Sequence, residues 1–404
     1  MIIERDLYIK QIRNLLQNEQ IKIITGIRRC GKSYILNLIR ESLLANGINE
    51  DNIIFIQMED MLYDNLKEPR VCHEYIVQRM VKKNYKYYVL IDEVQLISKW
   101  EQVVNSLRLR NTSIILTGSN SKILSSELAT LLSGRFVQLQ LRTISFYEYY
   151  NSLKKQGNTP NLYDTFEYYI ENGGYPLILS SNLDAEQNKS IVSDIYYSTV
   201  LKDVVLRNQI KDEALLARLI DYIFDNVGNL FSIRKVVGYL NSVSVKTNVQ
   251  TLSNYIRALE NAYVIEKASR YDIKGKNLLS SNDKYFVADH SLLYVRRGYS
   301  FDYISGVLEN IVYNDLKRRG YWVFVGKNGE KEIDFVAKKQ EKIIYIQVAY
   351  SVSNSETLKR EIEPLQAIKD NYKKYIVTMD SLLAGNKDGI EFVYLPRFLL
   401  SENI

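Results

Sequence analysis

The chain has 404 residues, of which 46% are hydrophobic and 25% are charged, and its formal net charge is +6. A chain of this length is too long for one ordinary hydrophobic core, so we expect about two to four domains with the composition of a globular protein. The sequence contains no run of about 18 apolar residues, and residues 1–6 lack the basic and apolar regions of a signal peptide. These features exclude a membrane-spanning helix and predict a cytoplasmic protein.

Cysteine and histidine are scarce, which limits the kinds of site that the chain can build. Cys30 and Cys72 are too few for a disulfide framework. His73 and His290, the two histidines, offer no zinc-ligand spacing, so a structural metal site is not expected. The mildly positive charge permits nucleic acid as a partner but does not require it.

A glycine-rich segment after the first apolar run carries the strongest chemical signal. Residues 26–33 read Gly-Ile-Arg-Arg-Cys-Gly-Lys-Ser and satisfy the pattern G-x-x-x-x-G-K-[ST]. In this pattern the glycines turn backbone N–H groups toward phosphate oxygens, Lys32 reaches the terminal phosphates, and Ser33 binds Mg²⁺. Residues 21–25 predict a buried strand before the loop, and residues 34–44 predict a helix whose positive end faces the anion. The predicted phosphate-binding residues are Gly26, Ile27, Arg28, Arg29, Cys30, Gly31, Lys32, Ser33 and Tyr34.

Three residues inside this loop have a less direct interpretation. Arg28 and Arg29 contact phosphate or DNA, or they only fill the variable positions of the motif. Cys30 brings a thiol into the loop, which predicts that alkylation or oxidation affects activity.

An apolar strand ending in two acids supplies the second part of a nucleotide site. Residues 87–95 read Tyr-Tyr-Val-Leu-Ile-Asp-Glu-Val-Gln. At the end of such a strand, Asp92 holds Mg²⁺ and Glu93 polarises the attacking water. Many strands end in solvated acids, so this pattern alone is a weak signal, but together with the upstream loop it predicts nucleotide hydrolysis.

Two further polar positions are candidates for sensing or stabilising the phosphates. The predicted strand at residues 113–120 ends in Ser119 and Asn120, either of which can sense the γ-phosphate, although a capped strand end explains the same pattern. Arg135 follows a glycine and can stabilise charge on the transferring phosphoryl group, often from a neighbouring subunit. A solvated surface arginine is the alternative.

The motifs GIRRCGKS, LIDEVQ and LTGSNS, together with residues 126–135 and 144–149, resemble the AAA-type (AAA+) ATPases of bacteria and archaea that carry a poorly characterised C-terminal region. The resemblance covers nearly the whole chain and implies an AAA+ core that binds and hydrolyses ATP with Mg²⁺. An arginine that acts from a neighbouring subunit would make the protein a homo-oligomer. The resemblance implies catalytic roles for Lys32 and Glu93, a sensor role for Asn120 or Ser119, and metal-binding roles for Ser33 and Asp92. It also makes Arg135 the candidate for the catalytic arginine finger.

The middle of the chain predicts a set of helices followed by a helix-turn-helix. The apolar spacing is helical up to about residue 227, which we interpret as a lid over the nucleotide. Residues 231–240 and 248–265 then predict two helices joined by a turn. With the strands predicted at residues 267–276 and 284–289, this arrangement resembles a winged helix.

DNA binding is the functional interpretation of this module. Residues 213–300 contain 12 Lys and Arg against 8 Asp and Glu. This segment therefore carries most of the net positive charge of the chain. This balance is modest beside the basic stripe of a committed DNA-binding protein, and winged helices also act as packing modules between ATPase subunits. The candidate DNA contacts are Lys246, Thr247, Gln250, Asn254, Arg257 and the lysines of the two wing strands.

Residues 301–404 predict a helix, three strands, a second helix and a further strand, an order that resembles the PD-(D/E)XK restriction-endonuclease fold. This resemblance implies Glu309 and Asp334 as metal-binding acids. The third strand departs from it, with Gln347 and Ala349 where that family has a carboxylate and a lysine. Cleavage chemistry uses such groups to hold the metal and steady the developing charge. We therefore predict a nuclease-shaped domain that contacts nucleic acid or protein without cutting DNA, in which the two retained acids can still bind a metal weakly.

The predicted fold is α/β, with a P-loop AAA+ ATPase domain at 1–150, a helical lid at 151–227, a winged-helix domain at 228–300 and a degenerate restriction-endonuclease-like domain at 301–404. The predicted function is Mg²⁺-dependent ATP hydrolysis in association with DNA. Two alternatives stay open: a nucleotide-gated switch that controls a protein partner without binding DNA, and, less favoured, an ATP-dependent nuclease.

Overall fold

The structure is a computed structural model of the chain, and it describes residues 3–16, 18–82, 85–119, 134–181, 183–279, 282–402 and 404. These residues form two compact units, each of which contains both helices and strands. The amino-terminal unit comprises Glu4–Thr143 and Asn261–Tyr263, and the carboxy-terminal unit comprises chiefly Ile144–Glu260 and Val264–Ile404. The predicted α/β class is confirmed.

A parallel sheet organises the amino-terminal unit. Its strands are β1 Ile21–Thr25, β2 Ile53–Gln57, β3 Tyr87–Asp92, β4 Thr112–Gly118 and β5 Phe136–Gln140. The helices of this unit are α1 Asp6–Leu15, α2 Lys32–Ala45, α3 Pro69–Arg79 and α4 Trp100–Leu107. The strands lie in the order β2-β3-β4-β1-β5, and each neighbouring pair is parallel.

The strand order brings the two nucleotide motifs to the same edge of this sheet. Ile23, Val89 and Leu116 are fully buried in its core, as expected of strands covered on both faces. Because β4 lies between β1 and β3 and all three run in one direction, their carboxyl ends share one edge. In parallel sheets of this kind, ligands bind in the crevice outside those ends.

The carboxy-terminal unit begins with a run of helices. Its helices are α5 Phe146–Lys155, α6 Leu162–Asn172, α7 Pro176–Ser180, α8 Ala185–Thr199, a π-helical segment Val200–Leu206, α9 Glu213–Asp225, α10 Ile233–Ser242, α11 Val249–Asn261, α12 Tyr294–Arg297, α13 Ile304–Arg318, α14 Ser355–Gln366 and α15 Leu395–Leu400. Capping boxes start two of them, with Ser145 and Glu148 at α5 and with Asp184 and Gln187 at α8. Among the described residues, none of the helices has both the length and the apolar character that a membrane span needs.

Two sheets complete the carboxy-terminal unit. Its strands are β6 Ile265–Ala268, β7 Arg270–Asp272, β8 Asn277–Leu278, β9 Lys284–Val287, β10 Trp322–Asn328, β11 Lys331–Lys339, β12 Lys342–Ala349, β13 Lys373–Thr378, β14 Gly385–Lys387 and β15 Ile390–Tyr394. Strands β6 and β9 form an antiparallel pair, and the other eight lie in the order β14-β15-β13-β12-β11-β10-β7-β8.

The first of the two predicted wing strands is divided between these sheets. Residues 265–268 pair with β9, but Arg270 pairs in parallel with Val325 on β10, so β7 and β8 extend the larger sheet. The predicted strand is divided because β10 has an open edge with which β7 pairs, and local sequence cannot reveal that edge. The sheet therefore crosses the boundary predicted at residue 300.

Candidate nucleotide-binding site

The loop between β1 and α2 has the backbone conformation that the glycine pattern predicts. Gly26 has a φ of 152° and Gly31 a φ of 101°, values that residues with a side chain rarely adopt. A Cβ atom added to Gly26 would lie 2.2 Å from the carbonyl oxygen of Leu141. The loop thus packs against the backbone of Leu141 more closely than any side chain at position 26 would allow.

Helix α2 starts directly after this loop with Gly31 as its N-cap. No side chain caps its amino-terminal end, since Gly31 has none to offer. The first N–H groups of a helix lack partners within the helix and carry partial positive charge, so they favour an anion. The start of α2 can therefore receive phosphate oxygens.

Lys32 is the first residue of α2, and its side chain folds back over the loop. It is 5% exposed, and Nζ donates to the carbonyl oxygens of Gly26 at 3.2 Å and Ile27 at 3.1 Å. Neutral carbonyl groups compensate a buried charge less well than an anion does. A phosphate at this loop would therefore gain a charge-assisted hydrogen bond from Lys32.

The other predicted loop residues differ in exposure. Ile27 and Cys30 are buried, Arg28, Gly31 and Ser33 are half-buried, and Arg29 and Tyr34 are exposed. Arg29 also has a left-handed φ of 65°. Burial, followed by the charges of Glu41 and Glu4, raises the pKa of Tyr34.

We expect Gly26→Ala to weaken nucleotide binding by at least about tenfold, because the added methyl group meets the Leu141 carbonyl in a backbone conformation unfavourable for alanine. Gly47→Ala is the matched control, since Gly47 has a φ of 80° but no atom within 4 Å of an added Cβ. Titration of both variants with a fluorescent nucleotide measures the difference. Equal affinities would show that the close approach at Gly26 is not needed for binding.

The structure contradicts the expectation that the Cys30 thiol sensitises the protein to alkylation. Cys30 has no exposed surface, and burial raises the pKa of its thiol, which disfavours the reactive thiolate. Burial likewise raises the pKa of Cys72 to about 12. We expect neither thiol to react with a maleimide in the native protein and both to react in guanidinium chloride, as counted by mass spectrometry. Native labelling of Cys30 at the rate of a free cysteine would contradict this prediction.

Thr117 joins the two acids at the end of β3. Its buried hydroxyl donates to Asp92 Oδ1 at 2.5 Å and accepts the backbone N–H of Glu93 at 2.9 Å. The register explains this contact, because Ile91 pairs with Leu116 on the neighbouring strand. The motif LTGSNS contains Thr117, but only the cross-strand register reveals that it supports both acids.

The two acids differ in their surroundings. Asp92 is 4% exposed at the end of β3, whereas Glu93 is half-buried. Glu93 has a left-handed φ of 52°, which is uncommon for a residue with a side chain, and Gln95 Nε2 donates to its carboxylate. Asp92 is therefore fixed at the edge of the sheet, and Glu93 extends from the turn beyond that edge.

The remaining predicted phosphate contacts are Ser119, Asn120 and Arg135. Ser119 is buried just after β4, whereas Asn120 lies outside the described residues. Arg135 is exposed, its guanidinium donates to Asn105 Oδ1 at 3.1 Å, and its carbonyl oxygen accepts the N–H of Ile21. It therefore lies at the amino-terminal edge of the sheet, about 13 Å along β1 from the phosphate loop. A finger role for Arg135 thus requires a neighbouring subunit.

Helix α11 has one apolar and one polar side, as its sequence predicts. Leu252, Ile256 and Leu259 are buried. The exposed candidate DNA contacts are Gln250, Asn254 and Arg257 on this helix and Lys246 in the preceding turn, where Thr247 is half-buried. Gln250 Nε2 donates to Asn254 Oδ1 at 3.1 Å, so the two amides form one polar surface.

The lysines predicted for the wing strands do not share one environment. Lys267, Lys274 and Lys276 are exposed, and Lys267 Nζ lies 3.4 Å from Asp283 Oδ2. Lys284 is only 2% exposed and points toward acids of the carboxy-terminal unit, so it is not available to DNA.

The structure brings together the acids predicted for the nuclease-like region. Glu309 and Asp334 both contact Lys284 Nζ, at 3.2 and 3.6 Å. Gln347 Oε1 accepts the backbone N–H of Asp334 at 2.7 Å, and its Nε2 donates to Glu361 at 2.8 Å. Burial raises the pKa of Asp334 and raises that of Glu309 to about 8. Burial alone would lower the pKa of Lys284, but the neighbouring carboxylates hold that pKa above its ordinary value.

Three known families match successive parts of the chain. Residues 18–150 match an AAA domain. Residues 163–301 match a domain of unknown function (DUF8612), and residues 305–398 match a second one (DUF4143).

Solved structures with limited similarity include three DNA-associated or nucleotide-bound proteins. The Aeropyrum pernix ORC2 protein in ADPNP-ADP complexes is 10% identical with a TM-score of 0.37, over 77% of this chain and 92% of that one. AMPPCP-bound DnaA from Aquifex aeolicus is 15% identical with a TM-score of 0.33, over 63% and 86%. The Aeropyrum pernix ORC1 protein in complex with DNA is 12% identical with a TM-score of 0.33, over 72% and 91%. These values are too low to extend a conclusion to this chain.

Two relatives align with most of the sequence. An uncharacterized protein of Haemophilus influenzae is 38% identical over 400 residues, which are 99% of this chain and 99% of that protein. An uncharacterized protein of Methanocaldococcus jannaschii is 31% identical over 385 residues, which are 91% of this chain and 82% of that protein. The chain therefore belongs to the family of these two proteins, and its residues 18–150 match an AAA domain.

Proposed function

We propose that this protein is a Mg²⁺-dependent ATPase that works in association with DNA. The observation that carries the proposal is the convergence of two motifs at one edge of the parallel sheet. Lys32 covers the phosphate loop, and Asp92 and Glu93 stand at the end of β3 at the same edge. Phosphoryl transfer needs this combination of anion binding, metal binding and water activation.

The oxygen-rich donor set fits Mg²⁺, which prefers oxygen ligands and keeps several waters. Ser33 at the start of α2 and Asp92 at the end of β3 would hold the ion, directly or through its waters. Thr117 already fixes one oxygen of the Asp92 carboxylate, which limits the positions that the other can take. The ion would supply positive charge to the β- and γ-phosphates as negative charge develops.

The residues of this chain would perform the remaining steps. The N–H groups of the loop and of α2 would orient the phosphates, and Lys32 would stabilise charge on the terminal phosphates. Glu93 would polarise a water for in-line attack on the γ-phosphorus while the bond to the ADP oxygen breaks. The half-buried position of Glu93 beside Gln95 leaves its carboxylate within reach of solvent water.

The DNA part of the proposal is supported by helix α11. Its exposed amides, Gln250 and Asn254, can contact base edges or phosphates, and Arg257 and Lys246 add positive charge nearby. Because the site has few cations, we expect contacts with only a few phosphates and a correspondingly shallow dependence of affinity on salt.

The decisive experiment measures ATP hydrolysis with duplex, single-stranded and branched DNA over a salt series, with Lys32→Ala as the blank. We expect DNA to stimulate turnover, and removal of Lys246 and Arg257 together to abolish the stimulation without changing basal hydrolysis. The charge-matched control removes the exposed Lys189 and Lys202 instead. Turnover that no DNA changes would contradict the DNA association and favour the nucleotide-gated control of a protein partner.

Nuclease activity is not part of the proposal, since position 347 carries an amide and position 349 a methyl group. We expect no cleavage of duplex or branched DNA with Mg²⁺ or Mn²⁺. Robust cutting that disappears in Asp334→Ala would overturn this statement.

A further inference from the structure

Lys284 lies at the centre of three carboxylates in the carboxy-terminal unit. Its Nζ is 2.9 Å from Glu332 Oε1, 3.2 Å from Glu309 Oε2 and 3.6 Å from Asp334 Oδ1. The lysine side chain is 2% exposed, whereas the three acids are 13 to 32% exposed and line a cavity of about 680 Å³ together with Gln347 and Glu361. The acids thus separate the buried ammonium group from the cavity.

The three carboxylates come from two elements, and the lysine comes from a third. Glu309 is on α13, Glu332 and Asp334 are on β11, and Lys284 is the first residue of β9. Carboxylates at such close range repel one another when ionised and favour their neutral forms when buried, so each one that stays ionised needs a compensating cation. The chain itself supplies that cation.

The distances fit an ammonium group better than a metal ion. Oxygen ligands lie about 2.0–2.1 Å from Mg²⁺ and about 2.3–2.6 Å from Ca²⁺, so each carboxylate would have to move inward to bind either ion. In agreement, no group of three His, Cys, Asp or Glu side chains in the described ranges is spaced to hold a metal. The spacing is that of charged hydrogen bonds and ion pairs.

The strand that carries Lys284 is also held tightly by α13. Asn310 accepts the N–H of Val287 at 2.8 Å and donates to its carbonyl oxygen at 3.0 Å, as a neighbouring strand would. Phe286 stacks on Tyr313 with ring centroids 4.3 Å apart. These contacts fix the backbone of β9, so the position of the ammonium group is determined before any ligand arrives.

We propose that Lys284 is a tethered cation that takes the place of a divalent metal ion among Glu309, Glu332 and Asp334. The acids predicted to bind a metal weakly are therefore saturated by the chain itself. The carboxy-terminal unit keeps its fold in the absence of metal, and β9 is bound to α13 and β11 through the same charge. This inference does not depend on ATP hydrolysis, and its test uses protein without nucleotide.

Thermal unfolding of the full chain with EDTA or with Ca²⁺ tests the proposal. Ca²⁺ is chosen because its flexible coordination requires the smallest inward movement of the acids. We expect Lys284→Ala to lower the melting temperature by roughly 10 °C in EDTA, and Ca²⁺ to restore roughly 5 °C of that loss. Wild type should respond to Ca²⁺ by less than about 1 °C, as should Lys331→Ala, which removes a lysine from an exposed pair with Glu363.

A triple variant separates the loss of charge from the loss of packing. Lys284→Met with Glu309→Gln and Asp334→Asn removes the excess charge, so it should melt above Lys284→Ala in EDTA and show no response to Ca²⁺. The proposal is overturned if Ca²⁺ or Mn²⁺ stabilises the wild-type protein and this stabilisation requires Asp334. A Lys284→Ala protein that gains nothing from Ca²⁺, whether folded or unfolded, overturns it equally.

Discussion

Glu93→Gln is expected to bind ATP normally and to hydrolyse it slowly. The amide keeps the size of the side chain and still accepts from Gln95, but it cannot polarise the attacking water as a carboxylate does. We expect kcat to fall by roughly 10²–10⁴-fold, the range for loss of a general base. The dissociation constant of ATP should change by less than about threefold, which is under 1 kcal/mol of binding free energy. Single-turnover hydrolysis and nucleotide titration on one preparation measure both quantities.

Substitution of Lys32 in the phosphate loop should weaken the binding of ATP, whereas substitution of Glu93 should slow only its hydrolysis. Lys32→Ala removes a charged donor that lies over the loop, so we expect ATP binding to weaken by about 10-fold to 150-fold. Glu59→Gln is the control for Glu93→Gln, because it makes the same change from carboxylate to amide at an exposed position shortly after β2. Unaltered hydrolysis in both Glu93→Gln and Lys32→Ala would refute the assignment of the nucleotide site.

Local sequence was sufficient to predict the elements that hold this site. The apolar run at residues 21–25 and the pattern that ends in Lys32 and Ser33 define β1 and the start of α2, because strand burial and loop conformation both depend on nearby residues. The strand that ends in Asp92 followed from the same reasoning. These features are recognisable because their chemistry requires particular residue types at fixed spacing.

Pairings between distant segments could not be predicted in this way. Thr117 reaches both acids only because β4 pairs with β3 in one particular register. Lys284 resembled a solvated lysine on a wing, but tertiary packing buries it among acids that lie 25 to 50 residues further along the chain. Residues 267–276 were predicted as one strand, and they are divided because β10 pairs with Arg270. In each case the decisive contact is made by a residue that local periodicity does not connect.

Thr117→Val is expected to lower kcat by roughly 10–100-fold while leaving the fold intact. Valine fills the same volume, but it leaves Asp92 without its hydroxyl donor and the N–H of Glu93 without its acceptor. Displacement of catalytic groups by about 1 Å is enough to cost about 10²-fold in rate. Thr117 is a positioning residue, since it acts on substrate only through these two acids. We therefore expect the Mg²⁺ concentration needed for half-maximal rate to rise as well, which a titration of hydrolysis against Mg²⁺ measures.

Thr117→Ser and Thr112→Val distinguish this role from general stability. Serine keeps the hydroxyl and should recover most of the rate and the Mg²⁺ dependence. Thr112 lies at the opposite end of β4 and donates to the carbonyl oxygen of Leu107 at 2.8 Å, so Thr112→Val removes a comparable hydrogen bond far from the acids. If Thr112→Val lost as much activity as Thr117→Val, or if serine failed to restore it, the hydroxyl of Thr117 would not be what aligns Asp92 and Glu93.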